Sequence, residues 1–134
     1  MKSYRGEVSY QQPADDQWVS LVDDFVIVYC VSQPWVTSSI FVAPNSNLAD
    51  GLMYLLMVKK SALNRFQFLQ LMLGFESAAH ADFDFVDFFP VKGFRLKPIS
   101  KGSYITVDGE VIEHASIQAE ILPKAVQILT TKNQ

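Results

Sequence analysis

Val107-Asp108-Gly109-Glu110 places a carboxylate at the head of a strand, directly after a two-residue turn. Asp-Gly between alternating residues is the strongest short-range hairpin signal, because both loop positions of a type I′ turn need positive φ. A two-residue loop makes Val107 and Glu110 cross-strand partners. One face of the hairpin then reads Ser103, Ile105, Val107, Glu110, Ile112, His114. Glu110 closes an otherwise apolar column, which marks it as a candidate for work on a ligand. A plain surface turn is the competing reading, since folds reuse such turns without function.

Little else in the chain has the spacing that chemistry requires. His80 and His114 lie far apart, with no cysteine or second histidine at metal-ligand spacing, and are expected to be surface or hydrogen-bonded side chains. No Gly-x-Ser-x-Gly elbow occurs. The 6 glycines never cluster into a loop that could cradle phosphate. The single cysteine, Cys30, sits in the apolar run 25–31 and reads as a buried thiol in a strand. One cysteine permits no intrachain disulfide, which suits a reducing, cytoplasmic compartment.

Composition narrows the field further. The 134 residues suffice for one domain with a real core and are too few for two. Hydrophobic residues make up 49% and charged residues only 19%, so the chain is charge-poor for a soluble domain and its surface expects cover. A formal net charge of −3, without a Lys/Arg cluster, argues against nucleic acid. No apolar run reaches the ~18 residues of a membrane span, so any membrane contact is expected to be peripheral.

The elements that must position the hairpin are mostly short strands. Residues 1–20 read as a strand remnant and a loop, and 25–31 and 39–43 as strands. The run 52–59 is near-continuously apolar, as for a strand covered on both faces. Asp82-Phe83-Asp84-Phe85 alternates, and the phase shift at Val86 predicts a bulge. Residues 93–97, 103–107, 111–114 and 115–122 continue the strand pattern, and 132–134 read as a frayed tail. Turn clusters at 44–47 and 50–51 punctuate the series. The sum is a mainly β fold, an antiparallel β-sandwich with one inserted helix.

That helix is expected over about 61–77, with Ser61 as N-cap and Gly74 as the residue where it ends or bends. At 100° per residue, Ala62, Phe66, Leu69 and Leu73 share one face, which reads as the ordinary core stripe. Phe68, Leu71, Met72 and Phe75 form a second apolar stripe roughly opposite. A helix apolar on both sides is buried all round or meets a ligand, a lipid or a partner. Leaving four large apolar groups in water would forgo about 6–12 kcal/mol.

Several strings, taken in order, resemble a known family. They are Tyr4-Arg5-Gly6-Glu7-Val8-Ser9-Tyr10, Asp23-Asp24-Phe25-Val26, Ala43-Pro44 leading to Asp50-Gly51, Phe94-Arg95-Leu96-Lys97-Pro98 and Val107-Asp108-Gly109-Glu110. Together they resemble the C-terminal lobe of sphingosine kinases, within the diacylglycerol-kinase-like superfamily, over nearly the whole chain. The segment before Asp23-Asp24 is shorter here than in many relatives.

The resemblance implies a single domain over 1–134, the lipid-binding lobe of a two-lobe lipid kinase that phosphorylates a sphingoid base. ATP and Mg²⁺ would be held mainly by an N-terminal nucleotide-binding lobe that this chain lacks, so the isolated chain is expected to be inactive. It places Asp108, Gly109 and Glu110 on the nucleotide side of the interlobe cleft, with Glu110 near the ribose or a metal-bound water. It places Leu56, Val58, Phe68, Leu71, Met72 and Val86 in the wall that holds the lipid tail. The implied partners are the sphingoid base, the N-terminal lobe and, peripherally, a membrane surface, with the enzyme in the cytoplasm. The alternative is a non-catalytic module that binds lipid or a partner.

Overall fold

The computed structural model describes residues 18–100, 102–127 and 129. The Tyr4 to Tyr10 string, the strand remnant expected near the N-terminus and the tail at 132–134 lie outside them.

The described chain is mainly antiparallel β, with one α-helix, as a sandwich-like domain requires. In order it forms β1 (Phe25–Val31), β2 (Trp35–Thr37), β3 (Ile40–Phe41), β4 (Met53–Lys59), α1 (Arg65–Gly74), β5 (Asp87–Val91), β6 (Gly93–Leu96), β7 (Ile105–Val107), β8 (Glu110–Ile112) and β9 (Ile117–Glu120). The main sheet has the order β1-β4-β5; β2 pairs with β3, β6 with β9 and β7 with β8.

β4 is the centre of the fold, for the reason its sequence suggests. It is apolar from Met53 to Val58, and all six residues are buried. Both of its edges are hydrogen-bonded, to β1 and to β5, and both of its faces are covered. Tyr54, Leu56 and Val58 point alternately into one core with Val31, Val42, Ala43 and Leu71. Pro90 is tolerated in β5 because that strand lies at the sheet's edge, where one row of backbone groups needs no partner.

Three expectations need correction. The α-helix runs from Arg65 to Gly74 rather than over about 61–77. Residues Lys60–Ala62 form a 3-10 turn, and the cap is Asn64 rather than Ser61. Asn64 Oδ1 accepts from the Gln67 backbone N–H at 2.9 Å, and Gln67 Oε1 accepts from the Asn64 N–H at 2.9 Å. This reciprocal box satisfies two donors that Ser61 could not reach. The helix does end at Gly74.

The alternating run 82–85 is not a strand. Ala79–Asp82 forms a 3-10 turn entered through Ala78 at φ 61, and Val86 N–H bonds back to the Phe83 carbonyl at 2.9 Å. The phase break at Val86 is therefore a turn leading into β5 rather than a bulge.

The two helix stripes are exchanged. Leu71 is fully buried, and Phe75 packs on the core beside it. The stripe expected to face inward is the outer one, with Phe66 and Leu73 each 67% exposed. Gly74 explains the choice. A Cβ there would meet the His80 backbone N at 3.0 Å and the Phe83 ring at 3.2 Å, so only the face carrying this glycine can approach that closely.

Candidate functional site

The hairpin forms with the expected register. Val107 pairs with Glu110, Thr106 with Val111 and Ile105 with Ile112. Asp108 has φ 49 and Gly109 φ 86, the two positive values of a type I′ turn. The face inferred from alternation is real: Ser103 Oγ and His114 Nε2, at its far end, are 2.8 Å apart. Ile105 buries the base of this face, while Asp108, Gly109 and Glu110 stand in solvent at the tip. Nothing lies within 4 Å of a Cβ built on Gly109, so open space surrounds the turn. The carboxylates of Asp108 and Glu110 are free to meet a partner approaching that end.

The residues proposed for a tail-binding wall divide into two groups. Leu56, Val58 and Leu71 have no exposed surface and fill the core cluster, with Val86 packed against it. Phe68 and Met72 flank Leu71 on α1 and remain 43% and 39% exposed. Leu71 thus seals the helix onto Leu56 and Val58, while Phe68 and Met72 stay open on its flank.

Three features were not legible from spacing. His80 is fully buried, with Nε2 2.7 Å from the Val42 carbonyl and Nδ1 3.2 Å from that of Gly74. Both ring nitrogens face backbone carbonyls, which can only accept, so a ring N–H donates to whichever of the two it faces. Phe75 covers the ring at 4.5 Å. His80 thus fastens the end of α1 to the segment after β3, reinforced by the Phe41 N–H bonded to the Phe75 carbonyl at 2.8 Å. His114, by contrast, is exposed.

The second feature is the cage around Asp50, whose carboxylate accepts from the Asn47 and Leu52 N–H groups and from the Tyr54 hydroxyl at 2.8 Å. Desolvation pushes the Asp50 carboxyl up, but these three donors outweigh it and hold it below the ordinary 3.8. Burial first, then the bond to Asp50 and its charge, raise the Tyr54 phenol above its usual range. The Asp50-Gly51 turn was the available signal. The third is an open cleft of about 480 Å³ beside the start of α1, lined by Ala62, Gln67, Asp82, Phe83, Asp84 and Phe85. It combines stacked rings, Phe83 and Phe85 at 5.1 Å, with the carboxylates of Asp82 and Asp84.

Residues 3–130 match the family described as the YegS C-terminal NAD kinase beta sandwich-like domain. The chain belongs to this family. Human sphingosine kinase 2 is 31% identical over 120 residues, covering 88% of this chain and 18% of that protein. Human sphingosine kinase 1 is 29% identical over 119 residues, covering 87% and 31% respectively. The Caenorhabditis elegans sphingosine kinase 1 is 28% identical over 119 residues, covering 88% and 23%. This YegS_C-type domain is thus homologous to the sandwich domain of lipid kinases over most of its length, and spans less than a third of each relative.

Proposed function

We propose that this chain serves as the lipid-binding lobe of an ATP-dependent kinase for a sphingoid base. The observation that carries the reading is the 29–31% identity to human sphingosine kinases over 87–88% of the chain. The half-exposed Phe68 and Met72, above the buried Leu71, support a role in holding the hydrocarbon chain. The free tip at Asp108, Gly109 and Glu110 supports a role beside the nucleotide. Among the described residues no group of three or more His, Cys, Asp or Glu could hold a metal ion. On this reading Mg²⁺ and the body of ATP are held mainly by an N-terminal lobe.

In phosphoryl transfer, positioning and charge neutralisation do most of the work. ATP supplies the phosphoryl group; a sphingoid hydroxyl oxygen bonds to the γ-phosphorus and loses its proton to a base of the N-terminal lobe, the bond to the β–γ bridging oxygen breaks, and ADP leaves. This chain's part is to seat the tail along α1, fixing where the hydroxyl lies, and to close one side of the cleft with the 107–110 turn. The same reading puts the enzyme in the cytoplasm, at the surface of the membrane that holds its lipid.

The test pairs this chain with the nucleotide-binding lobe of a sphingosine kinase and measures phosphate transfer from ATP to sphingosine and to diacylglycerol. Transfer to sphingosine is expected, reduced by Glu110→Gln, with Met72→Asp raising KM most for long-chain bases. A folded, associated pair that transfers nothing overturns the reading. If the chain alone then still binds a fluorescent sphingosine analogue saturably, the non-catalytic module takes its place.

A further inference from the structure

Two Asp-Gly steps occur in the described chain, Asp50-Gly51 and Asp108-Gly109, and the fold treats them oppositely. An aspartate before glycine is open to an internal reaction, because no Cβ on the glycine keeps its backbone nitrogen from the carboxyl carbon one residue back. At Asp50 that reaction is blocked. Oδ1 accepts from the Leu52 N–H at 2.8 Å, and Oδ2 accepts from the Asn47 N–H at 2.9 Å and the Tyr54 hydroxyl at 2.8 Å. These bonds favour an ionised carboxylate fixed in place. Gly51 is packed as well, since a Cβ there would meet Pro123 at 3.4 Å.

Asp108 carries none of these restraints. Among the described residues nothing donates to its carboxylate, the residue is exposed, and open space surrounds Gly109. Its backbone also suits ring closure. The ring joins Asp108 Cγ to the Gly109 nitrogen, which eclipses Cβ and that nitrogen about the Cα–C bond. For an L-residue this sets ψ at about −120°, the value at the first loop position of a type II′ turn, where φ is about +60°. Asp108 already has φ 49. Types I′ and II′ both serve two-residue hairpins, so flipping the one peptide between Asp108 and Gly109 closes the ring without unzipping the strands. Asp50 has no such route. Its φ is not positive, and at negative φ that ψ falls outside the main allowed regions.

We propose that Asp108 is a site of spontaneous isoaspartate formation, through a succinimide that the hairpin turn accommodates, while Asp50 is protected. The Gly109 nitrogen bonds to Asp108 Cγ and gives up its proton; the carboxyl gives up hydroxide, and the two leave as water. Water then adds to either ring carbonyl. Addition at Cγ restores aspartate. Addition at the main-chain carbonyl carbon breaks its bond to the Gly109 nitrogen, frees an α-carboxylate and runs the chain through Cβ and Cγ, one methylene longer. No oxidant, reductant or cofactor takes part. The longer chain does not fit a two-residue loop, so the product loses the Val107–Glu110 pairing. It becomes a substrate for an S-adenosylmethionine-dependent methyltransferase that esterifies isoaspartyl α-carboxylates. The inference goes beyond the lipid-kinase reading and does not depend on it.

The experiment ages the whole folded chain in neutral buffer, beside a second sample kept unfolded in guanidinium chloride. Both are digested, and the peptides holding residues 50 and 108 are scored for isoaspartate by electron-transfer fragmentation. Labelling with an isoaspartyl O-methyltransferase and tritiated S-adenosylmethionine gives an independent count. In the folded chain isoaspartate at 108 is expected to exceed that at 50 at least about tenfold, because Asp50 must first surrender three hydrogen bonds. A species one water lighter should precede it. In the unfolded sample the two sites should converge, which assigns the difference to the fold. Asp108→Glu, which would need a six-membered ring, should remove the signal at 108, and Tyr54→Phe should raise the signal at 50.

Equal isoaspartate at the two sites of the folded chain, none at 108, or the same ratio folded and unfolded overturns the proposal. So does a signal that survives Asp108→Glu, which would give it to another residue of that peptide. None of these readouts uses phosphate transfer, so the ageing of Asp108 and the kinase reading stand or fall separately.

Discussion

Leu71→Ala should cost this protein much of its stability, and Leu73→Ala almost none. The two leucines sit two residues apart on α1 and have the same intrinsic hydrophobicity. Leu71 has no exposed surface and touches the cluster built on Leu56 and Val58, whereas Leu73 is 67% exposed. Truncating Leu71 removes the transfer free energy of its outer carbons and leaves a cavity against a rigid central strand, about 2–5 kcal/mol together. A domain of this size has a total stability on the order of 5–15 kcal/mol. Truncating Leu73 should fall within about 0.5 kcal/mol, as for an exposed site. Urea unfolding followed by far-ultraviolet circular dichroism reads the difference as a shift in midpoint at constant slope. Equal losses for the two, or the larger loss for Leu73, would refute the orientation of α1 and with it the division into inner and outer stripes.

Gly74→Ala should destabilise despite a helix-propensity gain of about 1 kcal/mol, because the new methyl meets the His80 backbone N at 3.0 Å; thermal unfolding checks the sign. Burial pushes the Cys30 thiol up to about 11 from 9.0, so the folded state prefers the neutral thiol. Its contribution to stability is full below pH 9.0 and is lost as the pH rises from there to about 11, and titrating unfolding of Cys30→Ala against the parent should show the difference. Asp50 behaves in the opposite sense: its lowered carboxyl contributes stability above pH 3.8 that is lost as the pH falls below that value. Tyr54→Phe should cost about 1 kcal/mol at neutral pH and shrink this acid-side loss, measured by denaturant unfolding across the acid range.

The parts of the fold that sequence made legible are those where one local rule had no rival. The 107–110 turn followed from a φ requirement that Asp-Gly meets, and its register then placed Ser103 opposite His114. β4 followed from an apolar run too long for a loop and covered on both faces. The helix orientation failed because two stripes of similar hydrophobicity competed, and periodicity does not rank equals. The deciding signal was Gly74, three residues after Leu71, where the absence of a side chain admits the backbone of His80. The run 82–85 failed because alternation of Phe and Asp satisfies a strand pattern, whereas the left-handed Ala78 turns the chain first. His80 gave no sign, because its partners Val42 and Gly74 are backbone carbonyls distant in sequence.

The charge-poor composition takes on meaning once the stripes are sorted. A single peripheral helix has one inner side, and here Leu71, Gly74 and Phe75 occupy it. Adding apolar residues to the other sides cannot enlarge the core, and each such group left in water forgoes about 1.5–3 kcal/mol. Phe66, Phe68, Leu69, Met72 and Leu73 all have open surface on α1. Folding alone gives no reason for five such residues on ten positions of helix, since polar side chains would hold the same backbone. Their cost is recovered only when something apolar lies against the helix. On the proposed lipid-kinase reading, the hydrocarbon tail of a substrate is one such thing. On that reading Phe68 and Met72, which flank the buried face, are where the tail would lie, while Phe66, Leu69 and Leu73 face outward. The apolar excess of α1 therefore belongs to its surface and not to the core, whose share of the helix Leu71, Gly74 and Phe75 already supply.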